Sequence, residues 1–401
     1  MGDITTQEKT SPFSPGRPVS PEMFVGRQEQ IARLMRSAGQ VAMGKQENIF
    51  VTGEFGIGKS SLVGYVRLAA EQKYKLAGFH VLLGGVGTLE GFVQQVVDRI
   101  LQEAQRANIL DKLRGFFSKY IESVELFGVK VNVDAIRADA PQIAHQFLPF
   151  LRGIWYQLRS NEFRGLALFL DDLNGIARVP AFAALIKSLV DEIALSGEPL
   201  PLYLVLSGVP QRRMEIIENV ESVQRIFDIV EVSPLQRAEV EDFFQRVFAS
   251  AHVRVEPEAL LLMVDFSGGL PKLMHEIGDA VFWKDRDNRI DVNDAQLGIM
   301  QAADTVGRKY FDPIRTVLQS DDYHAILDKL ARLGGMEVDF TKSQLEEKLS
   351  ESERKKLNNF LRRMKGLHAL SPGDVRGEYK FPNRLVRFYL SLESSRQTHK
   401  H

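Results

Sequence analysis

The 401-residue chain contains no cysteine, which excludes disulfides and thiolate metal sites and leaves the redox compartment undecided. It has no long hydrophobic run. Stretches such as Ala259 to Val264 fall far short of the roughly 20 residues that a membrane helix needs. No charge sign dominates either. The 51 basic residues nearly match the 52 acidic ones, for a net charge of −1. No global field therefore points at nucleic acid, and any such surface must be local. The first 22 residues, MGDITTQEKTSPFSPGRPVSPE, carry no apolar run, and a signal peptide is not expected there. With 44% hydrophobic residues at this length, the expectation is a cytoplasmic protein of two or three domains.

What is present begins with NIFVTGEFGIGKSSLVGYV, residues 48–66. Ile49 to Thr52 reads as a short buried strand and Gly53 to Gly58 as a glycine-punctuated loop. From Ser60 a helix is expected, with Leu62, Tyr65 and Val66 on one face. Gly53, Gly58, Lys59 and Ser60 satisfy G-x-x-x-x-G-K-[ST]; Glu54, Phe55, Gly56 and Ile57 lie inside the loop, and Ser61 follows it. Glycines let backbone N–H groups close around phosphate oxygens without Cβ clashes. The helix N-terminus adds partial positive charge. Lys59 is placed to meet the β- and γ-phosphates and Ser60 to ligate Mg²⁺, so ATP or ADP with Mg²⁺ is the expected ligand.

A second stretch, LALFLDDLN (residues 166–174), is an apolar run closed by Asp171 and Asp172. A parallel strand buried on both faces reads this way, and ligands of open α/β sheets bind at strand C-terminal ends. Asp171 is expected to hold Mg²⁺, directly or through water, and Asp172 to orient or deprotonate the attacking water. A third strand, Leu202 to Leu206, ends at Ser207, which can either hydrogen-bond the γ-phosphate or the water, or simply start a turn.

With these motifs the chain resembles the AAA+ and STAND branches of P-loop ATPases. It looks most like origin-recognition-type initiators and related prokaryotic ATPases with a C-terminal winged helix, over roughly residues 22–395. MFVGRQEQIARL is similar to the family's box before the phosphate loop, which implies that Val25, Gly26 and Arg27 lie beside the adenine. Independently, Ile31, Leu34 and Met35 give that segment an amphipathic helix. Where the family often has Asp-Glu, this chain has Asp171-Asp172, a second carboxylate one methylene shorter, which points to slow hydrolysis. SVQRIFDIVEVSPL resembles the arginine-finger segment, with Arg225 the candidate and Arg212 and Arg213 its rivals. SGGLPKLMHEIG resembles the lid motif, with Pro271 at the position of the AAA+ arginine, as in STAND proteins; His275 one turn later is expected to pack within the lid.

The span between Lys59 and Asp171 is longer than the family core needs. It holds two helix-like segments, LEGFVQQVVDRILQEA and ILDKLRGFFSKYIESV, and an alternation at Val129, Val131 and Val133 that reads as a half-buried strand.

Beyond Pro313 the pattern becomes short helices followed by a strand pair. DYHAILDKLARLGG reads as a first helix. Thr341 and Gln344 form a possible capping box at the second, with Phe340 and Leu345 spaced as a hydrophobic staple. A third helix has the buried stripe Leu357, Phe360, Leu361 and Met364, with Arg354, Lys355, Asn358, Asn359, Arg362, Arg363 and Lys365 largely outside it. HALSPGDVRGEYKF reads as a hairpin carrying Arg376. From Arg354 to Arg387 ten Lys and Arg stand against two acids. A basic, Asn-bearing exposed helix suits phosphate and base-edge contacts.

The fold expected is α/β: a P-loop, AAA+-like parallel-sheet core with a helical lid and a C-terminal winged helix-turn-helix. The expected boundaries are a flexible tail over 1–21, core 22–233, lid 234–312, winged helix 313–395 and a tail over 396–401. The expected function is an ATP-binding and ATP-hydrolysing switch that assembles on double-stranded DNA, as a homo-oligomer or with other subunits. The alternative is a STAND-type signalling or defence ATPase whose assembly is gated by nucleotide and a protein partner.

Overall fold

The computed structural model describes residues 9–17, 24–106, 121–125, 128–131, 140–159, 162–318, 320–333 and 337–398. The chain divides into two compact units, residues 18–233 and residues 234–401 together with 1–17.

The first unit is built on a five-stranded parallel sheet. Its strands are β1 (Glu47–Thr52), β2 (Leu76–Leu82), β5 (Gly165–Asp171), β6 (Leu202–Gly208) and β7 (Asp228–Glu231), in the spatial order β2-β5-β6-β1-β7. Strands β5 and β6 are buried at every position, which is why both read as unbroken apolar runs rather than alternations. Helices α1 (Gln28–Ala42), α2 (Lys59–Tyr74), α3 (Leu89–Arg106), α4 (Ala140–Leu158), α5 (Pro180–Leu195) and α6 (Pro210–Asn219) accompany the sheet. Leu34 of α1 is buried as the apolar spacing requires, and its carbonyl accepts the fully buried Tyr203 hydroxyl at 2.9 Å. That bond lets a tyrosine sit inside without an orphaned O–H. Phe92, Phe182, Leu168 and Ile186 belong to one apolar core on the other side of the sheet's middle strands.

In the long span, Leu89–Arg106 is helical as expected. Ile121–Glu125 is not the end of a helix, however. It is strand β3, paired antiparallel with β4 (Gly128–Val131). Ile121 and Val124 are residues that either period accommodates, so a short apolar stretch there could not be told apart by spacing. Val133 and most of ILDKLRGFFSKYIESV lie outside the described residues, as does the facing of the Val129 and Val131 side chains.

The second unit begins with α7 (Arg237–Ser250), α8 (Pro257–Ser267), α9 (Pro271–Phe282) and α10 (Val292–Tyr310). Short strands β8 (Arg254–Val255) and β9 (Arg289–Ile290) pair in parallel among them. Phe243, Phe244 and Val247 are buried as their spacing on α7 implies. After α11 (Asp312–Val317) come α12 (Asp321–Ala331), β10 (Asp339–Thr341), α13 (Lys342–Glu346), α14 (Glu351–Gly366), β11 (Ser371–Pro372), β12 (Glu378–Lys380) and α15 (Arg384–Thr398). The three strands form one antiparallel sheet in the order β10-β12-β11. The Thr341–Gln344 capping box is present, and a second one, Ser350–Glu353, starts α14. Leu357, Phe360, Leu361 and Met364 are all buried.

Part of each expected tail, residues 9–17 and 396–398, lies within the described residues. Phe13 is 5% exposed and packed against α7 and α9. At the other end α15 continues to Thr398, and Arg396 grips Asp304 of α10 through paired bonds of 3.0 and 3.1 Å. Low hydrophobicity at an end does not prevent docking when one ring or one guanidinium finds a shaped partner.

Candidate functional site

The loop between β1 and α2 is held open by its glycines. A Cβ on Gly53 would come within 2.5 Å of the Val232 carbonyl oxygen, so only glycine lets the chain leave β1 beside β7. Gly58 is the N-cap of α2 at φ 96° and offers no side-chain cap. The first N–H groups of a 16-residue helix therefore face the loop without a side-chain cap bond, which is the arrangement that receives phosphate oxygens. Lys59 Nζ donates to the carbonyls of Gly53 and Glu54, both at 2.9 Å. Burial lowers the Lys59 pKa from its ordinary value, against the opposing pull of Asp171, Glu54 and Asp172. Glu54 and Phe55 are exposed, Gly56, Ser60 and Ser61 are half-buried, and Ile57 is buried beneath the loop.

Arg27 sits at the foot of this loop. It is buried and left-handed at φ 63°, and it donates to the carbonyls of Ile57, at 2.9 Å, and Ser233. The guanidinium thereby ties the phosphate loop to the end of the sheet unit. Val25 and Gly26 precede it half-buried, Gly26 also at positive φ.

Strand order brings the second motif to the same edge. Strand β6 lies between β1 and β5, and its register pairs Ser207 with both Val51 and Asp171. Val51, Ser207 and Asp171 thus share one row across three adjacent parallel strands, and Thr52 follows one residue later at the C-terminal end of β1. Asp171 is 1% exposed. Its Oδ1 accepts the Asp172 N–H at 3.0 Å, and its Oδ2 lies 3.2 Å from His80 Nε2 on β2. Burial works against its charge, but the contacts with His80 and the Ser60 hydroxyl outweigh it and hold the carboxyl below its ordinary range. The Ser207 hydroxyl lies toward the same carboxylate and also helps to hold it ionised. Its Oγ and that of Thr52 are buried with no partner. A buried hydroxyl beside an ionised carboxylate, a second at the end of β1 and an uncapped helix start match a ligand rich in oxygen and charge. Asp171 and Ser60 are the hard oxygen donors that Mg²⁺ prefers.

Asp172 is half-buried in the left-handed region at φ 60°. Its Oδ1 accepts the Asn174 amide. Asn174 in turn accepts from Arg212 Nε at 3.2 Å, and Arg212 forks onto both oxygens of Glu215 at 2.6 and 2.7 Å. Arg178 completes the chain on Glu215 at 3.0 Å. Burial disfavours the Glu215 charge, but the two arginines prevail and keep its pKa below the ordinary value. Arg212 is therefore committed within the unit. Arg225 stands exposed in a 3₁₀ turn, with no ion pair among the described residues, and Arg213 is half-buried.

His80, Thr52 and Asn174 were not legible as site residues. His80 meets Asp171 only because β2 and β5 pair Leu82 with Asp171, a register no single segment reveals. Asn174 had a signal, being an Asx residue two positions after a strand-end Asp.

In the second unit, Pro271 occupies the first turn of α9, where its missing N–H costs nothing. Lys272 lies 3.4 Å over the Tyr310 ring. Arg354, Lys355, Asn358, Asn359, Arg362, Arg363 and Lys365 are exposed on α14, and Arg376 is exposed between β11 and β12. Not all of the local positive charge is available. Lys356 pairs with Asp322, Lys380 with Asp374 at 2.8 Å, and Arg387 is 2% exposed, donating to the carbonyls of Ala331 and Leu333.

Residues 23–206 match the family model described as AAA ATPase domain. No curated protein matches the sequence. Among solved structures, the Walker-type ATPase PABY2304 of Pyrococcus abyssi superposes with a TM-score of 0.55 at 17% identity, covering 92% of this chain and 96% of that one. The ORC2 protein of Aeropyrum pernix, solved as ADPNP and ADP complexes, gives 0.57 at 13% identity, covering 93% and 94%. At these identities the likeness is one of fold.

Proposed function

We propose, from the match of residues 23–206 to the AAA ATPase domain model, that the chain binds ATP with Mg²⁺, hydrolyses it slowly, and uses the cycle to control assembly on duplex DNA. The observation that carries the nucleotide reading is the alignment of the uncapped α2 start, the orphaned Thr52 and Ser207 hydroxyls and the ionised Asp171 along one sheet edge. The backbone N–H groups of residues 53–60 would cradle the phosphates. Lys59 would exchange its carbonyl partners for β- and γ-phosphate oxygens. Bound Mg²⁺ supplies charge neutralisation across those phosphates, with Ser60 and Asp171 as its protein donors. Ser207 would meet the γ-phosphate. Asp172 would orient the attacking water and take its proton; its tie to Asn174 and its short side chain both accord with slow turnover. Arg225 is the residue available to reach a neighbouring subunit's transition state.

The DNA reading rests on the second unit. Helix α14 exposes its basic and Asn residues in a row, while β11 and β12 form a short hairpin bearing Arg376. That order of helices and strands supports a winged helix-turn-helix, with α14 as the element that enters the major groove. The second reading, a STAND-type switch with a protein partner, draws on Pro271 standing where an arginine sensor would be.

The Lys59→Ala variant is expected to lose affinity for a fluorescent ATP analogue; unchanged affinity overturns the phosphate cradle. Wild-type protein with ATP and Mg²⁺ is expected to bind duplex DNA at low salt. Absence of such binding, together with nucleotide-dependent assembly on a protein partner, gives the case to the second reading.

A further inference from the structure

The carboxylate of Asp172 is held on both sides. Its Oδ1 accepts the Asn174 amide, and a Cβ on Gly84 would come within 2.7 Å of its Oδ2. Position 84 leaves the carboxylate room in this orientation by lacking a side chain. Asp172 itself sits at φ 60°, a region that an aspartate keeps only when its neighbours fix it.

Arg212 decides which end of the Asn174 carboxamide faces Asp172. A carboxamide has one acceptor end and one donor end. Arg212 Nε donates to Asn174 Oδ1 at 3.2 Å, so Nδ2 is the end presented to the aspartate. Arg212 is itself restrained. Glu215 takes its Nη1 with both oxygens, and Arg178 holds Glu215 from the 3₁₀ turn Ile176–Arg178. A second tie, from Asn219 Nδ2 to the Ala177 carbonyl at 3.4 Å, fastens the far end of α6 to the same turn. At the near end only Gly208 and Val209 separate Ser207 from α6. A Cβ on Gly208 would stand 3.3 Å from that of Arg212, so Arg212 rests against the end of β6 that carries Ser207.

We propose that Arg212 is a positioning residue which, through Asn174, holds Asp172 back from the attacking water until a γ-phosphate draws on Ser207; this rests on the ATPase reading above and adds its regulation. The amide N–H occupies the lone pair on Oδ1 that would take the water's proton, and Oδ2 is walled by Gly84. Hydrolysis therefore requires Asn174 to release Oδ1. The carboxamide loses its fixed orientation once Arg212 shifts, and Arg212 shifts with the first turn of α6, which follows Ser207 directly. A phosphate bound at Ser207 favours the released arrangement over the held one. The water then gives its proton to Asp172 Oδ1 as its oxygen bonds to the γ-phosphorus and the bond to the ADP oxygen breaks.

The test is steady-state ATP hydrolysis beside equilibrium binding of a non-hydrolysable ATP analogue, both with Mg²⁺, on the full-length chain. Arg212→Ala and Asn174→Ala are each expected to raise kcat at least about threefold and to leave analogue affinity within about twofold. Arg212→Lys keeps the charge but not the planar fork, and is expected to match Arg212→Ala rather than wild type. Asn174 is exposed, so Asn174→Ala gives an answer that does not depend on how α6 tolerates the loss of Arg212. In an Asp172→Asn background neither substitution is expected to give any gain. Turnover at or below wild type in both single variants overturns the latch, and so does a gain that survives in the Asp172→Asn background. Failure of the underlying reading shows differently: wild-type protein that does not bind the analogue, or Asp172→Asn at wild-type turnover. Either of those results overturns the latch together with the reading beneath it.

Discussion

His80 Nε2 stands 3.2 Å from Asp171 Oδ2, across the pairing of β2 with β5. Asp171 is almost wholly buried, so a carboxylate that must remain charged there relies on few polar partners. His80 acts on the site through Asp171 rather than through the phosphate loop. The variant His80→Ala is expected to weaken Mg²⁺-dependent nucleotide binding about tenfold while leaving binding in EDTA unchanged, a loss of about 1.4 kcal/mol. Titrating an ATP analogue with and without Mg²⁺ measures it; equal losses in both conditions would refute the positioning role.

Asp172 is held by the Asn174 amide, at the end of a chain of bonds reaching Arg212, Glu215 and Arg178. Asp172→Asn keeps the side-chain size and removes the basic oxygen. Nucleotide affinity is expected to be unchanged and turnover to fall by about two orders of magnitude, the usual scale for a positioned general base. Wild-type turnover in this variant excludes Asp172 as the base.

Local chemistry was legible in the sequence wherever one segment contains all its parts. The Gly53–Ser60 loop, the apolar β5 ending at Asp171, the Thr341 capping box and the buried stripe of α14 each depend on spacing within a few residues. What was hidden depends on register or docking. The His80–Asp171 contact, the Arg27 bridge from Ile57 to Ser233 and the seat of Phe13 join residues far apart in the chain, and nothing in either partner's neighbourhood signals the other. Arg387 shows the converse error. It counted as part of a basic surface by composition, yet it is buried and caps the carbonyls of Ala331 and Leu333.

That contrast separates two classes of arginine in the second unit. Replacing exposed Arg362 and Arg363 with Glu is expected to weaken duplex binding and to leave ATP binding and melting temperature unchanged. The salt slope of log K should fall by about 0.9 for each phosphate that is no longer neutralised. Arg387→Ala should instead lower stability by about 1–3 kcal/mol, because the backbone carbonyls it serves lose their partner. Thermal melts beside binding isotherms at two salt concentrations distinguish the two. Equal effects of both substitutions on DNA binding alone would contradict the division.

Arg225 is exposed in its 3₁₀ turn, whereas its rival Arg212 is consumed by Glu215. A finger given across an interface acts only where subunits meet. Specific ATPase activity should therefore rise with protein concentration in the wild type and stay flat in Arg225→Ala. A flat wild-type profile across the monomer–oligomer transition rules the role out.

His275 gives the docked segment, residues 9–17, a dependence on pH. Burial lowers its pKa from 6.5 to about 4, and Asp279 opposes only part of that shift. Its Nδ1 accepts the Ser14 N–H, so the docked state needs the neutral ring. The sign follows from the depressed value: the folded state binds the proton less readily than the unfolded one. The stability associated with neutral His275 is complete above pH 6.5 and is lost as pH falls through 4. The loss amounts to about 3 kcal/mol at 1.36 kcal/mol per pKa unit. Phe13 closes one side of this environment, with its ring 6.2 Å from the imidazole. Phe13→Ala is therefore expected to admit water and move the His275 pKa up toward its ordinary value, as followed by NMR titration of the imidazole protons. In urea unfolding at several pH values, His275→Gln should show a shallower decline than wild type between pH 6.5 and 4, since glutamine takes up no proton. Identical pH profiles for wild type and His275→Gln, with no movement of the imidazole titration in Phe13→Ala, would show that the segment does not hold this histidine neutral.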